Sequence, residues 1–387
     1  MSRYFNTIRT AVSLVNHYTG EKPFVFYLKN YFSLNKKHGS RDRKLISELC
    51  YNFFRVGHCF KSVDENNMAT AFFMCRATGH PVLAELYPHL NERVHGTMDE
   101  KAKLVNINLQ KIFPFQPLLS SHLDAKGFTN SLLKQPNFFL RCRPDYYQIV
   151  QQKLKAQQIE YTVLNEECIC LPNKTKSNDV IFLNKEAVVQ DFSSQQVFNI
   201  GLNLLQQMQP YSKLKVWDCC AASGGKSILL YDILQGQIEI TASDIRPSIL
   251  KNLQTRFYQA GVKSYHTFTA DLTKHSDKQP SYDIIILDAP CSGSGTWGRT
   301  PEQLYYFKES TLAQYTQKQL QIAVHAAAQL QEEGLFFYIT CSVFKSENEA
   351  IVNAIEQQTA LKCIEYKYLP GWSLGADTLF TSVFQKK

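Results

Sequence analysis

The chain has 387 residues, 44% hydrophobic and 20% charged, with a formal net charge of +8 and eleven cysteines. That length suggests two or three domains, and the composition is that of a globular protein, not a disordered or fibrous one. No stretch reaches the roughly 20 apolar residues of a membrane span. The first twenty residues lack the apolar core and small-residue cleavage site of an export signal, so the expectation is a cytoplasmic protein with no membrane partner. An odd cysteine count without an export signal reads as free thiols. No Cys-x-x-Cys pair occurs, and neither Cys168 with Cys170 nor Cys219 with Cys220 has structural zinc spacing, so no metal is expected.

The charge is unevenly spread. Residues 1–150 carry 20 Lys and Arg against 11 Asp and Glu, and the remainder carries 22 against 23. A basic part joined to a near-neutral part suggests a polyanion-binding module attached to a separate catalytic body.

In chain order, residues 1–125 read as helical. "RDRKLISELCYNFFRVGH" sets Leu45, Leu49, Phe53 and Val56 at helical spacing behind a basic start, and "HPVLAELYPHL" and "MDEKAKLVNINLQKI" are similar. Residues 126–200 read as a small mixed α/β piece: strand "NFFLRCRP", helix "DYYQIVQQKLKAQQ", one or two strands in "IEYTVLNEECICLP", then "AVVQDFSSQQVFNIGLNLL" running into a helix. From 201 to 387, apolar strands alternate with helices: "KLKVWDCC", "IEITASD", "YHTFTAD", "YDIIILDAP" and "GLFFYITCS", with a long helix expected over 309–333. Such alternation predicts a parallel, doubly wound sheet. The final "LKCIEYKYL" and "TLFTSVFQK" have no helix between them and predict a terminal antiparallel hairpin.

Four consecutive expected strands end in acids, Asp218, Asp244, Asp271 and Asp288, and a fifth ends in Cys341. In a parallel sheet all five lie on the carboxyl rim, where ligands of open α/β sheets bind. The turn "CAASGGKS" is rich in small residues, but it is neither G-x-G-x-x-G nor a phosphate-binding P-loop. Asp244, 18 residues after Lys226, is placed to accept both hydroxyls of a ribose, with Asp271 where an adenine would lie. A nucleoside without a diphosphate fingerprint favours S-adenosylmethionine over NAD. Asp288, Cys291 and Cys341 then stand beside a methyl donor. Two thiols and a carboxylate suit methylation of cytosine C5: a thiolate adds to C6, C5 becomes nucleophilic, and loss of the C5 proton frees the thiol. The residues alone do not say which thiol attacks.

"DCCAASGGK", "ASD", "AD", "DAPCSGSGTWGRTPE" and "YITCSVFKSEN", between 218 and 348, resemble in order the motifs of the RsmB/Nop/Sun family of RNA 5-methylcytosine methyltransferases. "VVQDFSSQQV" is similar to the stretch preceding that family's catalytic domain. "RDRKLISELCYNFFR" resembles, more loosely, the NusB-like RNA-binding domain of the bacterial RsmB branch, which acts on 16S rRNA. The resemblance implies a Rossmann-like methyltransferase domain (201–387) behind a small α/β connecting domain (126–200) and a NusB-like helical domain (1–125). It implies that Cys220, Ala221, Ala222, Ser223, Gly224, Gly225 and Lys226 hold the methionine part of S-adenosyl-L-methionine. Asp244 takes the ribose, Asp271 the adenine side, and Asp288 the cytosine edge. Lys226 orients Asp288, Cys341 is the nucleophile, and Cys291 assists release. Arg299, with Arg41, Arg43 and Lys44 of the basic helix, would contact RNA. The expected partner is ribosomal RNA and the expected state a monomer. The alternatives are the same chemistry on tRNA, or a non-catalytic RNA-binding ribosome-assembly factor. Ser223 stands where the family usually has proline, which is expected to loosen the turn; "GRTPE" carries over only Arg299 and Pro301, and Lys345 replaces a frequent proline.

Overall fold

The computed structural model describes residues 2–387 except 174, 176, 209–211 and 275–280. By internal packing the described residues form two units. One comprises residues up to Leu119, Asp124–Gln135 and Thr296–Glu309; the other comprises Ser120–Leu123, Pro136–Gly295 and Ser310–Lys387.

The first unit is helical. In the helix Ser40–Arg55, Ile46, Leu49, Cys50 and Phe53 are buried, a repeat that puts one stripe in the core. The helix Met98–Leu104 begins with a capping box: the Glu100 N–H donates to Thr97 Oγ1, and the Thr97 N–H donates to Glu100 Oε2 at 2.7 Å. Thr296–Glu309 packs into this unit, although its sequence continues the motif that begins at Asp288. Tyr305 and Tyr306 lie with ring centroids 5.5 and 6.2 Å from that of Phe54. Buried Glu302 accepts from the Phe24 N–H at 3.2 Å.

The second unit contains two sheets. Strands β1 (Phe138–Cys142), β2 (Thr162–Val163), β3 (Cys168–Leu171) and β4 (Ala187–Val189) form an antiparallel sheet in the order β2-β3-β1-β4. The helix Tyr147–Ala156 contributes Val150 and Leu154 to its core. The seven-stranded sheet comprises β5 (Leu214–Asp218), β6 (Ile238–Asp244), β7 (Tyr265–Thr269), β8 (Tyr282–Asp288), β9 (Leu330–Thr340), β10 (Leu361–Pro370) and β11 (Thr378–Lys386), in the order β10-β11-β9-β8-β5-β6-β7. β5 to β9 are mutually parallel, and β10 and β11 form the expected antiparallel hairpin, with β11 also antiparallel to β9. Ile284, Ile285, Ile286 and Leu287 of β8 are all fully buried, which is why this strand reads as a continuous apolar run. Helices Gly225–Ile233 and Pro247–Ala260 supply Ile228, Leu253 and Phe257 to the core around Val216, Ile240 and Ile284.

The helix expected over 309–333 is shorter. It spans Leu312–Ala327, and Leu330 already begins β9. Glu333 at φ 63° interrupts the early strand, and the β8–β9 register shifts there. A residue apolar in either setting, such as Leu330, does not reveal this change of period.

The two sheets are joined through a buried carboxylate. Asp232, on the helix Gly225–Ile233, accepts from Arg141 Nη1 at 2.7 Å and Arg143 Nη2 at 2.6 Å. Removing one partner of a buried ion pair strands the others. Asp232→Ala is therefore expected to destabilise the protein by about 3–5 kcal/mol, read as a lower midpoint in urea unfolding; an unchanged midpoint would show that the joint contributes nothing.

Candidate active site

The strand order reverses between β5 and β8, so the loops after these two strands run apart and leave a crevice at their carboxyl ends. The turn after β5 forms its wall. The Cys219 N–H donates to the Ile286 carbonyl at 3.0 Å and the Ala221 N–H to the Ser243 carbonyl at 2.9 Å, tying the turn to both neighbouring strands. Gly224 caps the next helix at φ 78°, and a Cβ there would lie 2.7 Å from the Phe257 ring, so the turn requires glycine on two grounds. Arg256 donates to the Ser223 carbonyl at 2.9 Å and to its hydroxyl at 2.7 Å. The serine therefore does not leave the turn loose: a guanidinium holds it where the family usually has a proline ring. Arg256 is itself held by Asn184, which accepts from its Nε at 2.9 Å.

A cleft of about 500 Å³ opens beside this turn, a volume suited to a small ligand. Cys220, Ala222, Asp244, Asp271 and Asp288 line it together. Ile245, Leu272 and Ile322 add apolar surface. Sequence reading did not single these three out, since a lone isoleucine or leucine carries no signal of a ligand. Asp244 accepts from the Ala222 N–H at 3.0 Å and from Arg246 Nε at 2.9 Å. Burial pushes its pKa up, but the hydrogen bonds from Arg246 and Ala222 outweigh it and hold the carboxyl below its ordinary value. Asp271 does not end a strand as expected. β7 stops at Thr269, and Asp271 lies two residues on, accepting from Thr273 Oγ1 at 2.6 Å. The acidic and apolar walls fit a nucleoside with hydroxyls at one end and a flat base at the other.

On the β8–β9 side, Lys226 Nζ donates to Asp288 Oδ2 at 2.6 Å. Burial lowers the lysine pKa, but the Asp288 carboxylate raises it further, with smaller contributions from Cys341 and Asp218, and the net shift is upward. Cys291 Sγ lies 3.3 Å from Cys341 Sγ. The hydrogen bond to Cys341, burial, and the charges of Cys341 and Glu347 push the Cys291 thiol well above its ordinary value. Gly295 donates its N–H to the Cys341 carbonyl at 2.9 Å, and a Cβ on it would collide with the Thr378 carbonyl. The thiols of two separate loops thus meet beside the Lys226–Asp288 pair. All eleven cysteines are free thiols. Gly225 begins the helix that carries Lys226.

The expected RNA-contact residues lie in the first unit. Arg41 and Lys44 are exposed on the helix Ser40–Arg55, and Arg299 is exposed in the segment 296–309. Arg43 is partly engaged inward, its Nε donating to the His38 carbonyl at 2.7 Å and its guanidinium lying 5.7 Å from the centroid of the Phe32 ring.

The fold is that of a Rossmann-like methyltransferase. Residues 205–375 match the family described as 16S rRNA methyltransferase RsmB/F. It is 28% identical over 210 residues, 54% of its length and 45% of the relative's, to a probable ribosomal RNA small subunit methyltransferase B of Bacillus subtilis. It is 26% identical to ribosomal RNA small subunit methyltransferase B of Serratia proteamaculans over 85% of each chain. In the first of these matches, as in several similar ones, the chain spans less than half the length of the curated relative. Among solved structures, PH0851 superposes with a TM-score of 0.71 at 17% identity over 98% of each chain. NSun6 from Pyrococcus horikoshii with SFG superposes at 0.55 and 14% identity, covering 65% of this chain and 91% of that one.

Asp218, at the end of β5, is fully buried. Its Oδ2 accepts from Ser227 Oγ at 2.5 Å, and among the described residues its Oδ1 has no partner. Burial raises its pKa from 3.8 to about 7. The folded state therefore binds this proton more tightly than the unfolded chain, and the associated stability is lost as pH rises from about 4 to about 7. Asp218→Asn is expected to remove that slope in denaturation midpoints measured across the same window; an unaltered slope would assign it to other groups.

Proposed function

We propose that this protein is an S-adenosylmethionine-dependent RNA cytosine-C5 methyltransferase acting on ribosomal RNA of the small subunit. The observation that carries the reading is the pair of thiols at 3.3 Å, on loops following β8 and β9, beside the Lys226–Asp288 pair and a nucleoside-shaped cleft. A single packing cysteine needs no such company. The names of the curated relatives support the ribosomal substrate, and a neighbour solved with SFG supports the cofactor.

The chain's own groups suit the steps in turn. Asp244 and Asp271 hold the nucleoside of S-adenosylmethionine, with the turn Cys220–Lys226 at its methionine end. When bound, the cofactor supplies an electrophilic sulfonium methyl group. Cys341 adds to C6 of the cytosine as a thiolate. Asp288, held by Lys226, meets the base edge and offsets charge there. Cys291, kept protonated by its hydrogen bond to Cys341, by burial and by neighbouring charge, stays out of the attack and assists release: water takes the C5 proton, the C6–sulfur bond breaks, and Cys291 offers its proton to the departing Cys341 thiolate.

We assign the first 125 residues to RNA binding as a NusB-like domain, residues 126–200 to a connecting domain and 201–387 to catalysis. The segment 296–309 adds Arg299 to the first unit. Arg41, Lys44 and Arg299 are the proposed phosphate contacts, with Arg43 engaged in part elsewhere. The setting is cytoplasmic, and the acting form is a monomer. No helix among the described residues is long and apolar enough to cross a membrane.

Two variants test the reaction. Cys341→Ala is expected to abolish methyl transfer to RNA, and methylation that persists would remove Cys341 as nucleophile. Cys291→Ala is expected to accumulate a protein–RNA adduct stable in denaturing gels; turnover without such an adduct would end its role in release. RNA affinity is expected to fall steeply with salt, because the proposed contacts are phosphate contacts, and charge reversal at Arg41 and Lys44 to lower that slope. Bisulfite sequencing of ribosomal and transfer RNA from cells with and without the protein separates the ribosomal substrate from tRNA.

A further inference from the structure

The two thiols come from loops fifty residues apart in sequence, and something must hold them in register. One buried side chain touches the residue after each. Glu347, fully buried, accepts from the Ser292 N–H at 2.8 Å and from Ser292 Oγ at 2.5 Å, next to Cys291. The same carboxylate accepts from Ser342 Oγ at 2.5 Å, next to Cys341. Gln319, from the helix Leu312–Ala327, donates to Glu347 Oε1 at 3.0 Å and to the Pro290 carbonyl at 3.1 Å, securing the near end of the first loop. Ser294 completes the strap. Its hydroxyl lies 3.1 Å from that of Ser292 and 3.2 Å from that of Ser342, and it accepts from the Val343 N–H at 2.9 Å. Among the described residues Glu347 has no ion-pair partner; hydroxyl, amide and backbone donors satisfy it. A carboxylate removed from water is costly unless hydrogen bonds compensate it, and a hydrophobic residue would fill the space without that cost. Four donors converging from three separate segments are hard to account for by packing alone.

We propose that Glu347 is the positioning residue that locks the Cys291 and Cys341 loops together, so that the attacking thiol and the release thiol face one base. This rests on the methyltransferase reading above and adds to it a residue outside the cofactor cleft. Its negative charge also bears on the chemistry. After the Cys341 hydrogen bond and burial, the Glu347 carboxylate is among the causes that keep Cys291 protonated.

Glu347→Gln keeps the shape, removes the charge and turns one acceptor into a donor facing Ser292 or Gln319. Glu347→Asp keeps the charge and shortens the reach. With the full-length protein and transcribed small-subunit RNA, Glu347→Gln is expected to lower kcat about 10- to 100-fold, the scale of an ångström's misplacement at a reacting centre. KM for RNA and affinity for S-adenosylmethionine should hold at wild-type values. The alkaline limb of its kcat profile should move to lower pH, because Cys291 loses a neighbouring negative charge. Glu347→Asp should recover part of the rate and the wild-type limb. A Glu347→Gln protein with wild-type kcat and pH profile would overturn the proposal. So would loss of rate, cofactor affinity and melting temperature together, which marks a merely structural residue.

A second readout does not depend on the reaction. Diamide, an azo oxidant, takes the two thiol hydrogens and leaves a disulfide, which peptide mass spectrometry locates. With each rate scaled to its thiolate fraction, Cys291–Cys341 linkage should form readily in the wild type and more slowly in Glu347→Gln, and equal scaled rates would overturn the positioning role. If the wild-type protein methylates no RNA yet the diamide rates differ as expected, the function assigned above fails while the strap stands.

Discussion

Between β5 and β8 the chain reverses the direction in which it lays down strands, and the rim above that reversal is where its polar groups gather. β5, β6 and β7 proceed outward on one side, and β8 and β9 return on the other. Their loops cannot pack over one another at the switch, so a crevice opens there whatever the side chains are. The cleft takes its wall from the turn after β5 and its acids from the ends of β6 and β8 and the loop after β7. The two thiols take their positions from the loops after β8 and β9, and the Lys226–Asp288 contact spans the switch itself. Closing the rim would remove both at once.

The charges on that rim are sorted by burial and by partner. Asp218 is sealed beneath it with one oxygen unpartnered among the described residues and its proton held tightly. Asp244 keeps its charge through donors that face the cleft. Asp288 stands opposite a lysine. Three aspartates at neighbouring strand ends thus have three different environments, and only the last two line the cleft. The support behind them comes from far along the chain. Arg143 donates to the Asn184 carbonyl at 3.1 Å, and the Asn184 side chain holds Arg256, which holds Ser223. The smaller sheet therefore reaches the turn after β5 through three side chains, in addition to its junction at Asp232.

Much of this was legible in the sequence, because strand period and strand-end acids are local signals. The parallel sheet, its hairpin, and the grouping of Cys220, Asp244, Asp271 and Asp288 follow from alternation and spacing. The cysteine pair could be suspected, but its 3.3 Å separation depends on the β8–β9 register. Glu347 was visible in "FKSEN" as an ordinary charged residue after a strand. Its burial results from donors at Ser292 and Gln319, which no local pattern connects to it. The same holds for Arg256 at Ser223. Periodicity shows which apolar residues are inside, and says little about which polar ones accompany them. The segment 296–309 illustrates another limit: its motif reads as continuous with the catalytic stretch, while its tyrosines pack in the helical unit.

The most direct test is a covalent trap. RNA carrying 5-fluorocytidine at the target position has no C5 proton to lose, so a sulfur–C6 bond formed during methyl transfer persists through denaturation and digestion. Peptide mass spectrometry of the trapped complex should find the nucleotide on Cys341, with Cys291 unmodified. A nucleotide on Cys291, or an active protein that forms no adduct with this RNA, would contradict the proposed chemistry.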